Sequence, residues 1–174
     1  EDREFLYEAA NDSTAFGASP LALQKMLLFP YKYGELLVND LINIDGWSTV
    51  NAAYKDPPLS TEQVIHTNKY LQKETPNKIV LPKLTNLQEQ GFVVMHQDVL
   101  GEFMLKTYLE TITDDKSAIN AAKGWSGDLF GLIETPDGGC LFISLSSWDN
   151  KPEAIEFYST LEKYQESQSD YDNM

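Results

Sequence analysis

Asp128-Leu129-Phe130-Gly131-Leu132-Ile133-Glu134-Thr135-Pro136-Asp137-Gly138-Gly139-Cys140-Leu141-Phe142-Ile143-Ser144-Leu145-Ser146-Ser147-Trp148 decides the fold. Two apolar, β-compatible runs, Leu129–Glu134 and Cys140–Leu145, flank a Pro-Asp-Gly turn, which predicts a β-hairpin. An isolated hairpin is marginal in water, so a further strand or helices must back it. Phe92–Met95 supplies the strand. Leu100–Ile112, Lys116–Lys123 and Pro152–Tyr164 supply helices, each with apolar residues at helical spacing. Thr113-Asp114-Asp115 caps the second of these helices, and Asp149 or Asn150 caps the third. The glycine-flanked corner Gly124-Trp125-Ser126-Gly127-Asp128 precedes the hairpin.

Working outward, the N-terminal half reads as helical. A turn or two is expected over Arg3–Asn11. Ser19-Pro20 is a helix start, and the helix it opens is expected to stop before Pro30. Tyr31–Ile42 is a second helix. Gly46 interrupts, and Trp47–Tyr54 resumes up to Asp56-Pro57-Pro58. Ser60 and Gln63 have capping-box spacing at the head of a further helix. Residues 73–91, punctuated by Pro76, Pro82 and Gly91, form a long connection. The expected fold is α+β: a small antiparallel sheet of three or more strands covered by helices, with a helical N-terminal half. The domain reading is a single domain over 1–166, made of a helical part (1–72), a connection (73–91) and a strand-helix-helix-hairpin-helix unit (92–166). A flexible acidic tail follows over 167–174.

Composition narrows the function classes. The formal charge is −14, with 27 acidic and 13 basic residues. That excludes a nucleic-acid backbone or an anionic membrane surface as partner, because both need clustered Lys/Arg. It suits cationic partners or divalent ions. Cys140, the single cysteine, is read as a buried free thiol and permits no intrachain disulfide. No apolar run reaches the ~20 residues of a membrane span. The chain opens at Glu1 rather than methionine, which predicts a piece of something longer.

No complete active-site motif is present. Glu62 and His66 are four apart on a helix and share a face. With His96 or Glu102 they would make a zinc triad, since a catalytic zinc takes three protein ligands. Zinc is therefore the weakly supported cofactor, with Glu62, His66 and His96 as weak candidates. Paired carboxylates among Asp56, Glu62, Glu102 and Asp128 have no local device to set their spacing. Asp128 more simply accepts backbone N–H bonds at its corner. Trp47, Trp125, Trp148, Tyr31, Tyr33, Tyr54, Phe103 and Phe130 read mainly as core.

Two groups of segments carry a resemblance. One is Phe29-Pro30-Tyr31-x-Tyr33-Gly34, then Gly46-Trp47-x-x-Val50-Asn51-x-x-Tyr54-x-x-Pro57-Pro58-x-Ser60-Thr61-Glu62-Gln63-Val64-Ile65-His66-x-x-Lys69-Tyr70. The other is Leu100-Gly101-Glu102-Phe103, Ala121-Ala122-x-Gly124-Trp125-x-Gly127-Asp128, and Trp148-Asp149 with Ala154 and Phe157. The chain resembles the carboxy-terminal portion of a poorly characterised family of secreted or lipid-anchored bacterial and archaeal proteins. Longer members carry an upstream His-Glu-x-x-His segment, as in zinc-dependent peptidases. This chain lacks that segment, and has Thr67 where a proline is common and Ser126 where a second corner glycine is common. The resemblance implies an extracytoplasmic, non-catalytic domain that shapes or supports a cleft. Its partner would be a protein or peptide, or an upstream domain of the same protein. Thr61, Glu62, His66, Tyr70, Trp125 and Asp128 are the expected polar–aromatic site. The competing expectations are a metal-dependent, peptidase-like hydrolase acting through Glu62 and His66 or through an upstream metal site, and a small-molecule binder with a closed apolar pocket.

Overall fold

The computed structural model of the chain describes residues 16–82 and 84–172, with side chains up to residue 165; the helical turn expected over Arg3–Asn11 lies outside them. Two compact units divide at Pro57/Pro58. The fold is α+β: an open three-stranded antiparallel sheet flanked by helices, with a long N-terminal helix.

The first unit holds α1 (Leu21–Lys55). Pro30 does not end it. The helix passes through, giving up the bond that the missing N–H would have made to the carbonyl of Met26. The break falls instead at Asp45–Gly46, where Gly46 takes a φ of +59° that an L side chain resists. Leu37, Leu41 and Val50 are buried. Tyr31, Trp47 and Tyr54 are exposed, Tyr54 by 83%, which corrects their assignment to the core.

In the second unit, the short helices α2 (Thr61–Ile65), α3 (Thr67–Leu71) and α4 (Thr85–Glu89) precede β1 (Val93–Asp98). Then follow α5 (Gly101–Leu109), α6 (Asp115–Ala122), β2 (Trp125–Glu134), β3 (Cys140–Trp148) and α7 (Lys151–Asp172). The sheet order is β1-β2-β3, both pairs antiparallel. The Trp125 corner is part of β2, with a register shift between Trp125 and Gly127. Asp114 caps α6 through bonds from Lys116 N and Ser117 N. Asn150 accepts from Glu153 N at the head of α7. The helical core joins Leu109, Ala118, Ala121 and Ala122 to Ile112, Phe157 and Leu161. The alanines of α6 allow α5 and α7 to approach it closely.

Residues 77–81 cross one face of the sheet. Asn77 N bonds Ser126 O at 2.6 Å, and Asn77 Nδ2 bonds Ser126 Oγ and Ser147 Oγ. A Cβ on Gly127 would overlap the Asn77 carbonyl, and one on Gly131 would lie 3.0 Å from Leu81 Cδ1. Two glycines four apart on β2 thus seat two residues four apart on the connection. Cys140 is exposed rather than buried. It opens β3 opposite the exposed Glu134, at the hairpin end of the sheet.

Candidate functional site

Ser60 starts the site. Its hydroxyl accepts from Gln63 N at 3.2 Å, while Gln63 Oε1 accepts from Leu59 N at 2.7 Å, a capping box shifted by one residue. Gln63 Nε2 also donates to the Glu74 carbonyl at 2.5 Å, which ties the end of α3 back onto α2. His66 ends one helix and begins the next. This fold of the chain brings Glu62, Lys69 and Glu74 together. Asp149 joins them from the end of β3, where its N–H bonds the Gly124 carbonyl at 2.8 Å.

Lys69 Nζ lies 2.7 Å from Glu62 Oε1, 2.8 Å from Glu74 Oε1 and 2.5 Å from Asp149 Oδ2. An ammonium has three N–H donors, and here each has a carboxylate. The three carboxylates lie within 4.8 Å of one another, close enough to hold one metal ion. With all three ionised, Lys69 leaves two negative charges uncompensated. Glu62 is 1% exposed. Burial pushes its carboxyl up to about 7, against the pull of Lys69 and with added repulsion from Glu102 and Asp149. Burial would lower the Lys69 ammonium, but its bonds to Asp149, Glu62 and Glu74 outweigh that and hold it above the usual lysine range.

Beside this cluster, His66 Nε2 lies 2.9 Å from Glu102 Oε1. That bond raises the imidazole above its ordinary value, with burial opposing. Glu102 is 5% exposed, and its Oε2 has no hydrogen-bond partner among the described residues.

The N-terminus of α5 presents Glu102. No α5 residue caps it; Asp128 does, accepting from Leu100 N, Gly101 N and Trp125 Nε1, each at 2.9 Å. Asp98 instead accepts from the N–H next to it, Val99, at 2.8 Å. Thr61 Oγ1 accepts from Phe103 N at 3.3 Å. Gly101 sits under Thr61: its φ is +71°, and a Cβ would lie 2.6 Å from Thr61 Oγ1.

Of the residues singled out in the sequence, Thr61, Trp125 and Asp128 therefore meet at one helix end. Glu62 and His66 lie beside them, linked through Lys69 and Glu102. Tyr70 is buried, with Lys73 Nζ 4.4 Å from its ring centroid. His96 stands elsewhere, on β1 against Asp98 and Phe130. Among the described residues, the three acidic groups close enough to share one ion are Glu62, Glu74 and Asp149; of the candidate ligands Glu62, His66 and His96 or Glu102, His66 meets Glu102 while His96 pairs with Asp98. Lys69, Glu74 and Asp149 carried no site signal in the sequence. Asp149 read as a helix cap, and the capping box was the only local hint that Glu74 returns to α2. A groove lined by both apolar and polar side chains, among them Leu81, Leu84, Gln88, Val94, Gln97 and Leu129, is open rather than closed.

The chain is thus an α+β domain with a cluster of three carboxylates around a lysine. Residues 90–173 match the model of a family described as a domain of unknown function (DUF8575). The match covers Glu102, Trp125, Asp128 and Asp149, while Glu62, His66, Lys69 and Glu74 precede it. Searches of curated proteins and of solved structures give no match. No helix among the described residues is long and apolar enough to cross a membrane.

Proposed function

We propose that this domain binds a hard divalent cation through Glu62, Glu74 and Asp149, and that Lys69 fills the cradle when no metal is present. The convergence of three carboxylates around a largely buried ammonium carries the reading. All-oxygen donors suit Ca²⁺, Mg²⁺ or Mn²⁺; zinc also accepts carboxylates but prefers nitrogen and sulfur. In the hydrolytic form of this reading, a cation held by Glu62, Glu74 and Asp149 would supply Lewis-acid polarisation of a carbonyl. Glu102 then orients His66 for proton transfer, in the manner of a carboxylate–histidine pair. The peptidase-like activity and the extracytoplasmic setting implied by the resemblance belong to this proposal.

Calorimetric titration of Ca²⁺ and Mn²⁺ into the chain tests it. One saturable event per chain is expected, weakened about tenfold or more in Asp149→Asn, in line with the loss of a charged ligand. It strengthens from about pH 6 to about pH 8, because the Glu62 carboxyl must lose its proton to bind metal.

The distances at Lys69 favour a second reading, in which the ammonium is the permanent cation and the domain supports a cleft or a protein or peptide partner. Absence of any saturable cation binding would select it.

A further inference from the structure

The sheet carries an aromatic pair that the charged site does not use. Phe130 on β2 and Phe142 on β3 stack with centroids 5.4 Å apart and planes 27° apart. His96 on β1 adds a third ring, 5.9 Å from Phe130. The strand register sets the surroundings. Asp98 lies opposite Phe130, Phe142 lies opposite Leu132, and Glu134 is the next residue of β2 on that same face. Glu134 is thus on the diagonal from Phe142, within reach of a long bound side chain. Phe142 is 56% exposed, and Asp98, Glu134 and His96 are exposed too. The opposite face of β2, at Gly131, is the one covered by Leu81. Among the described residues β3 is an edge strand, so no further strand of them shields Phe142 from outside.

An open aromatic face flanked by carboxylates is complementary to a cation that can also stack. Guanidinium is that group: planar, weakly hydrated, able to lie on a ring while its N–H groups reach a carboxylate. The excess of 27 acidic over 13 basic residues steers such a partner in, and opposes both nucleic acid and a second copy of the same chain. We infer that this face docks an arginine-bearing segment of a partner protein, with guanidinium groups over Phe142 and Phe130 and their N–H groups on Glu134 and Asp98 respectively.

The test uses the full chain and a labelled Gly-Arg-Gly-Arg-Gly peptide, with lysine and citrulline analogues. Fluorescence anisotropy gives affinity, and NMR shifts give location. The arginine peptide is expected to bind, with shifts centred on Asp98, Phe130, Glu134 and Phe142. Phe142→Ala weakens it about tenfold, lysine binds less well, and citrulline does not bind. Phe142 is exposed, so this variant keeps the fold, as an unchanged melting curve verifies. Equal affinity in Phe142→Ala, or shifts centred on Glu62, Glu74 and Asp149, would reduce the effect to general attraction by an acidic protein and overturn the inference. Absent peptide binding, with self-association that Phe142→Ala abolishes, would overturn it in favour of a contact between copies.

Discussion

Glu62 is a carboxyl held 1% exposed beside an ammonium, and its two forms are nearly balanced at neutral pH. Its folded pKa of about 7 exceeds the ordinary 4.5, so the folded chain holds a proton there that the unfolded chain has released. Stability from this group is complete below the ordinary value and is lost as pH rises towards about 7, a span of ~3 kcal/mol. His66 acts in the same direction, since its raised value favours the protonated ring and that contribution is lost as pH rises through it. The protein is therefore expected to melt at a higher temperature at about pH 5 than at about pH 8. In Glu62→Gln, whose amide stays neutral, much of that slope disappears. A slope equally steep in Glu62→Gln would place its origin in the general repulsion of acidic groups.

Elements are positioned by small residues and caps borrowed from distant segments. Asp128 caps α5 from β2, and Gly127 and Gly131 open β2 to Asn77 and Leu81. Gly127→Ala puts a methyl group into the Asn77 carbonyl at a φ of +150°. The expected result is detachment of residues 77–81, read as faster amide exchange and proteolysis over 73–91, while α5, α6 and α7 keep their protection. Unchanged exchange over 73–91 would mean that Asn77 does not anchor the connection. The hairpin was legible in the sequence because its turn chemistry is local, from Thr135 to Gly139. The Ser60–Gln63 box and the Asp114 cap were legible for the same reason. Pro30 misled, since a helix with apolar residues on both sides of a proline can absorb one lost bond. Lys69 was illegible as a site residue: its partners are 5, 7 and 80 positions away, and only the tertiary fold joins them. His66 and Glu102 were legible as candidate ligands of one metal, but the direct bond between them, across 36 residues, was not.

The molecule as a whole carries a charge of −14 and brings three of its carboxylates around one lysine. Such a protein gains stability from any cation that binds the folded cradle and not the unfolded chain. On the proposed reading the cradle accepts a metal in place of its own ammonium. Thermal melting of Lys69→Ala, with chelator and with millimolar Ca²⁺ or Mn²⁺, distinguishes a replaceable ammonium from a permanent one. Removing the ammonium leaves Glu62, Glu74 and Asp149 facing one another without a counter-charge, which costs about 3 kcal/mol in chelator. The predicted result is a lowered melting temperature that the divalent cation restores, with no such restoration when Asp149→Asn is added. A Lys69→Ala protein that melts at the same temperature with and without the cation would contradict the account.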